Sequence, residues 1–443
     1  MSLLLRGGTA LTANPRGDVL RGADILITGD RISAISATPL KELPDVPVIE
    51  AEGCTILPGF VQTHVHLCQT LFRGRAEDFE LLDWLRLRIF PFEAAHSARS
   101  MFASAAVGAL ELIRSGTTTI LDMGSIHHQE EVIRAVGESG LRAFVGKALM
   151  DINDAYPPLR EPTREALDST WALAERWHGS YEGRIRYAVA PRFILSCSDA
   201  LMREVAELLE AFPEMLLHTH ACENRKEIAA VRSRFGMDNI EAIEAFRLLS
   251  GRSCLAHCVH VSDREVDLLA ASGASIAHCP SSNLKLGSGI ADVPRFLGRN
   301  IRVGLGADGA PCNNTLDLFH EMRLAAAMQK PAHGPAAMPA RTVFELATIG
   351  GARALGLDGE IGSLEAGKKA DLVILDLRKP WNPLMSDDDP FTSLVYSATP
   401  ENVDSVMIDG RWVYRRREFV GMDPERTLRD ARTELRALLE RMG

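Results

Sequence analysis

The amino-acid sequence predicts an α/β protein: a (β/α)8 barrel of the TIM type, with a small β-sandwich domain built from both chain ends. Three observations lead there. Eight continuous apolar, strand-like runs alternate with helical stretches through the middle of the chain, as eight β-then-α units require. The two ends read differently, as short strands joined by tight turns. The third observation is capacity: 443 residues, 46% hydrophobic and 24% charged, can bury one large core and are incompatible with a collagen-like or low-complexity chain.

Taken in order, residues 3–5, 23–28, 31–35 and 48–50 read as strands, with Gly29-Asp30 as the turn between the second and third. The barrel strands follow at 60–66, 117–122, 143–149, 185–190, 215–220, 253–257, 275–279 and 301–308. Runs that are apolar along their whole length suit parallel strands buried on both faces. After a helical stretch at 342–355 the pattern returns to strands at 372–375, 406–408 and 412–414, the last two joined by Asp409-Gly410. Residues 426–442 have the pattern of an amphipathic helix. The expected domains are therefore 1–57 with 360–443 as a composite sandwich carrying the C-terminal helix, and 58–359 as the barrel.

Lys and Arg number 49 against 59 Asp and Glu, a net charge of −10, so no overall positive field attracts nucleic acid or anionic lipid. Neither partner is expected. The N-terminal apolar stretch is interrupted at Arg6 and falls well short of the ~20 residues of a membrane span. Eight scattered cysteines without a C-x-x-C pair fit a reducing cytoplasm.

Chemistry concentrates at the strand ends. His64 and His66 are two apart on the first barrel strand, so both point to one side and can bind one metal ion through ring nitrogens. Among 13 histidines such a pair is unremarkable by itself. Its position gives it weight, because His218 and His220, His257 and His278 also end predicted strands, and Asp308 ends the eighth. Barrels build active sites at the C-terminal strand ends, where groups distant in sequence converge. His64, His66, His220 and Asp308 are the expected ligands of one divalent ion, zinc or alternatively iron, which would acidify a bound water.

Glu223, three residues after His220, is placed to shuttle protons between water and a substrate ring nitrogen. Its competing role is a helix N-terminal carboxylate in the run from Glu223 to Glu227. His257 can orient the water or protonate a leaving group. His218 is expected to support a ligand or face the helical layer; His260, His127 and His128 are expected to be structural. Ser282-Asn-Leu-Lys285 matches S-x-x-K, but the companion motifs of that serine chemistry are absent.

The stretches PGFVQTHVHLCQTLFRG (58–74), HTHACEN (218–224), LAHCVH (255–260), HCPSSNLKLGSGIA (278–291) and GLGADGAPCNNTLDLFHEMRLAAAMQK (304–330) resemble the amidohydrolase superfamily. Within it they are most similar to the branch of 5′-methylthioadenosine/S-adenosylhomocysteine deaminases, guanine deaminases and chlorotriazine hydrolases. GEIGSLEAGKKADLVILDL (359–377) resembles the returning sandwich of the same family. The resemblance implies a metal-dependent aminohydrolase acting on a small heterocycle, with Glu223, His257 and Asp308 sharing proton transfers and Asp308 both ligand and base. Binuclear relatives carry a carbamylated lysine on the fourth strand; residues 184–193 contain no lysine, so one ion is expected. A homo-oligomer is compatible with the family.

Substrate choice divides the sequence signals. Trp84 resembles a tryptophan near the substrate in adenosine-type deaminases, and Lys147 and Arg160 fall where those enzymes hold a homocysteine carboxylate. Arg192, with Phe193 beside it, resembles guanine deaminase, as does Gln69. A guanidinium fork suits the O6 and N7 acceptors of guanine, whereas adenine presents a donor at that edge. Arg192 could equally pair with a neighbouring carboxylate. An adenine nucleoside is the first expectation and guanine the alternative, followed by a chloro- or aminotriazine. A catalytically silent barrel and a cyclic-amide hydrolase complete the alternatives.

Overall fold

A computed structural model of the chain describes residues 2–41, 44–383 and 389–442. Its barrel strands are β1 (Phe60–His66), β2 (Thr117–Asp122), β3 (Arg142–Val145 and Ala148–Leu149) and β4 (Ile185–Arg186 and Ala188–Pro191). They continue as β5 (Leu216–Ala221), β6 (Ser253–His257), β7 (Ser275–His278) and β8 (Arg302–Leu305 and Asp308–Gly309). The sheet order is β3-β2-β1-β8-β7-β6-β5-β4. Both halves of β4 pair in parallel with both halves of β3, Ile185 with Ala143 and Ala190 with Ala148, which closes the ring. Every residue of β1, β2, β6 and β7 is buried, as strands covered on both faces require.

Three strands that read as continuous runs are broken at one or two residues. At two of the breaks a glycine is demanded by close approach: a Cβ on Gly146 would lie 1.6 Å from the Ala188 carbonyl oxygen, and one on Gly306 would lie 2.7 Å from the His64 carbonyl oxygen.

Strands from the two chain ends join one nine-stranded mixed sheet. Its seam is the antiparallel pairing of Thr55–Pro58 with Leu372–Leu375. Asp409 and Gly410, both at positive φ (48° and 69°), make the tight turn between Val403–Ile408 and Arg411–Arg415. Leu5, Ile25, Ile27, Ile56, Leu372 and Met407 share one buried core, so residues more than 300 positions apart are sealed together.

The chain divides into two compact units, Met1–Gln62 with Glu111–Thr119 and Asp317–Met422, and Thr63–Leu110 with Ile120–Leu316 and Asp423–Gly443. These borders differ from the expected ones most clearly at the C-terminal helix, Pro424–Arg441. That helix buries Ala431 and Leu438 against Leu71, Phe72, Phe92 and Ala103, so its apolar stripe belongs to the second unit. Among the described residues no helix is long and apolar enough to cross a membrane. All eight cysteines are free.

Candidate active site

The C-terminal ends of β1, β5, β6 and β8 deliver His64 and His66, His220, His257 and Asp308 to one buried cluster. The Nε2 atoms of His64 and His66 each lie 3.3 Å from Asp308 Oδ1. His66 Nε2 faces His220 Nε2 at 3.2 Å. His220 Nδ1 is 2.6 Å from the Arg192 carbonyl oxygen and donates to it, which turns the lone pair of Nε2 toward the cluster. His218, on the same strand, places Nε2 2.8 Å from His64 Nδ1 and so supports that ring.

The backbone at these strand exits is unusual. His257, Asp308 and Cys222 have φ of 73°, 62° and 55°, a left-handed region that costs a non-glycine residue about 1–2 kcal/mol. Such strain is held by the surroundings. Cys258 N–H donates to the Ala221 carbonyl at 3.0 Å, and Gly309 N–H donates to Asp308 Oδ1 at 2.7 Å.

Glu223 follows β5 and precedes the helix Arg225–Phe235, whose N-cap is Asn224. The helix-terminal carboxylate is Glu227, which accepts the backbone N–H groups of Glu223 (2.8 Å) and Asn224 (3.3 Å). Glu223 is left to face the cluster. Its Oε2 lies 3.4 Å from His257 Nε2, which lies 3.9 Å from Asp308 Oδ2.

Both carboxyls are buried, and their charged neighbours shift them in opposite directions. Burial, reinforced by the charges of Asp308 and Glu227, pushes Glu223 well above the ordinary carboxylate range. Burial would also raise Asp308, but the imidazoles of His64, His66 and His257 outweigh it and hold Asp308 well below its usual value. His66 and His220 are pushed well below 6.5, first by burial.

These donors fit a divalent cation. The ligand atoms of His64, His66 and His220 all lie within 4.8 Å of one another, as do those of His64, His257 and Asp308. His64 Nε2 is buried and makes no hydrogen bond, although a carboxylate stands beside it. Converging neutral imidazole lone pairs with one carboxylate are a borderline-metal donor set, and His220 has the carbonyl-held ring typical of a ligand.

A pocket of about 440 Å³ opens on this cluster. Gln69, Trp84, Arg192 and Phe193 line it, together with Leu81, Leu85 and Leu286. Trp84 donates its Nε1–H to the Ala76 carbonyl at 3.0 Å, so its indole is fixed. Two predicted substrate residues stand elsewhere. The Lys147 ammonium is buried against Glu161 and 2.8 Å from Ser169 Oγ, and Arg160 is half exposed, its nearest carboxylate partner Asp154 at 4.0 Å. The desolvated Lys147 charge, in the break of β3, finds its partner in the connection that follows β3 rather than in the pocket.

Arg192 is 2% exposed, and its Nη1 and Nη2 donate to Glu93 Oε2 (2.6 Å) and Oε1 (3.0 Å). Gln69 Nε2 donates to the same Glu93 at 2.8 Å. Sequence reasoning did not find Glu93, which lies on a short helix with no motif around it. Ser282, Asn283 and Ser288 were also missed as site residues, although they stand in a stretch that resembled the family. His278, the β7 histidine, is buried with neither ring nitrogen hydrogen-bonded, and burial lowers it to about 3.

A parallel barrel with a histidine and carboxylate cluster at its strand ends, its donors fitted to a metal ion and flanked by a carboxyl raised well above its ordinary range, defines a barrel hydrolase. Residues 55–413 match the amidohydrolase family, and the chain belongs to that metal-dependent family. It is 40% identical to a 5′-deoxyadenosine deaminase of Methanothermobacter thermautotrophicus, over 94% of this chain and 93% of that protein. It is 39% identical to a 5-methylthioadenosine/S-adenosylhomocysteine deaminase of Desulforudis audaxviator, over 94% and 95%. The solved structure of an adenosine deaminase from Xanthomonas campestris with bound zinc superposes with a TM-score of 0.90, at 28% identity, covering 99% of this chain and 98% of that one.

Proposed function

We propose that the protein removes the exocyclic amine of an adenine nucleoside by hydrolysis, with one divalent ion, zinc or iron, held by His64, His66, His220 and Asp308. The observation that carries this is the pair of carboxyls on either side of His257, Glu223 at 3.4 Å and Asp308 at 3.9 Å, the first raised well above and the second held well below the ordinary carboxylate range. Environments that push two pKa values apart assign the acid and the base. Fourth-strand residues 185–191 offer no lysine to bridge a second ion.

When bound, the ion supplies a water acidic enough to lose a proton near neutral pH. Asp308 accepts that proton as the water oxygen bonds to the amino-bearing ring carbon. The Glu223 carboxyl protonates the adjacent ring nitrogen, which takes the displaced electron pair. His257 orients the attacking oxygen between the two carboxyls. Return of the proton from Asp308 to the amine breaks the carbon–nitrogen bond as the remaining hydroxyl proton passes to Glu223, releasing ammonia and a 6-oxopurine that keeps the proton on its ring nitrogen. Trp84 and Phe193 offer aromatic faces to the base.

The Arg192 fork gives two donors to Glu93, which supports an aminopurine over guanine, and the relatives named for deamination of adenosine derivatives support the same class. The test is ammonia release by zinc-loaded protein from 5′-deoxyadenosine, 5′-methylthioadenosine, S-adenosylhomocysteine, adenosine, guanine and an aminotriazine. Turnover of adenine nucleosides is expected, slowed about 10²–10⁴-fold by Asp308→Asn. Turnover of guanine alone would make Arg192 the base reader, and silence on all six with metal bound would overturn the purine reading.

A further inference from the structure

We propose that the segment following β7, residues 280–289, is a clamp that positions all three proton-handling side chains, with Asn283 setting the tautomer of His257. The inference rests on the deaminase reading and concerns residues outside it. Three contacts, each to a different group, come from this one segment. Ser282 Oγ donates to Asp308 Oδ2 at 2.6 Å, Asn283 Oδ1 accepts from His257 Nδ1 at 2.9 Å, and Ser288 Oγ donates to Glu223 Oε1 at 3.5 Å. Ser282 and Asn283 are fully buried and Ser288 nearly so.

The segment is itself anchored. Lys285 Nζ donates to the Pro311 carbonyl at 2.9 Å, just past Asp308, and pairs with Glu77 at 2.6 Å. The Asn283 carbonyl accepts the Ser288 and Gly289 N–H groups at 2.9 and 3.2 Å, folding the second serine back toward the site. The Ser282-Asn-Leu-Lys285 match is thus accounted for without a nucleophilic serine: Ser282 donates to a carboxylate, and Lys285 fastens the loop.

Asn283 has a specific consequence. A carbonyl oxygen at His257 Nδ1 requires that nitrogen to carry the hydrogen, so in its neutral form the ring turns the Nε2 lone pair toward Glu223. Without the acceptor both tautomers become accessible, and one of them aims a donor at Glu223. The orientation of Asp308 depends on Ser282 in the same way, through a buried oxygen that would lose its partner.

The test compares Asn283→Leu, which removes the acceptor, with Asn283→Asp, which retains it. Histidine-selective 15N NMR of the zinc-loaded chain reads the His257 tautomer, and ammonia release gives kcat and KM. Asn283→Leu is expected to shift His257 away from the Nδ1–H form and to lower kcat about 10–100-fold with a smaller change in KM. Asn283→Asp should keep the tautomer and recover most of kcat. In a His257→Gln background, Asn283→Leu should add nothing. Ser282→Ala should weaken zinc binding about 10-fold in competition with a chelator. An unchanged tautomer or an undiminished kcat in Asn283→Leu overturns the clamp, as does an equal loss in the His257→Gln background. Should Asn283→Leu fail to fold, Asn283→Ala, which also removes the acceptor, decides by the same tautomer and kcat readouts. If the unmodified protein releases no ammonia, the deaminase reading falls, and the NMR comparison still decides the clamp.

Discussion

The Arg192 guanidinium and the Glu93 carboxylate are both sealed from water, with side chains 2% and 1% exposed, and two parallel hydrogen bonds join them. Burial disfavours the Arg192 charge, and Glu93 more than restores it. The cost of desolvating such a pair makes its net worth small, but removing one member strands the other. Glu93→Ala is therefore expected to lose about 3–5 kcal/mol in urea unfolding, and the double variant Glu93→Ala/Arg192→Met to lose less than Glu93→Ala alone. A double variant as unstable as the sum of its parts would assign the loss to packing. The sequence left Arg192 between a base reader and an ion pair because its partner lies 99 residues away on an unmarked helix. Glu223 was more legible, since the capping box that competes for it needs a residue at the third helical position, where Glu227 stands.

All eight barrel strands were readable as apolar runs, and the residues at their ends could be named because a parallel barrel sends every C-terminal end to one face. The breaks inside three of them were not, since a glycine in a strand does not announce what approaches it. Gly306 interrupts β8 two residues before Asp308. Its missing side chain admits the His64 backbone, where a Cβ would meet the carbonyl oxygen at 2.7 Å and the nitrogen at 2.9 Å. Its φ is not in the left-handed region, so the constraint is space alone. Gly306→Ala should displace His64 and weaken zinc binding at least about 10-fold by chelator competition, with a smaller loss of thermal stability. Unaltered zinc affinity would show that β1 and β8 can part without moving His64.

At the scale of the whole molecule, the sequence showed which residues form the amphipathic C-terminal helix but not what covers its stripe, because amphipathicity specifies a buried face and no partner. The same interior makes the fold sensitive to acid. His96 is buried with Nε2 2.8 Å from the Cys68 carbonyl and Nδ1 2.9 Å from Ser100 Oγ, and burial lowers it to about 4. His278 falls to about 3 for the same reason. In the unfolded chain both titrate near ~6.5. Their folded values are depressed, so the stability they contribute is complete above about pH 6.5 and is lost as pH falls toward the folded values. Between about pH 6 and 5 the unfolded chain binds most of one more proton at each, a slope of about 1 kcal/mol per pH unit per histidine. The buried histidines clustered at the strand ends add to the total, so the informative quantity is a difference. His96→Gln keeps a donor for the Cys68 carbonyl and removes one titrating ring. Its unfolding free energy, from urea titrations across this range, should fall about 1 kcal/mol per pH unit less steeply than that of the unmodified chain. An identical slope would mean that His96 takes up its proton in the folded state at the same pH as in the unfolded one.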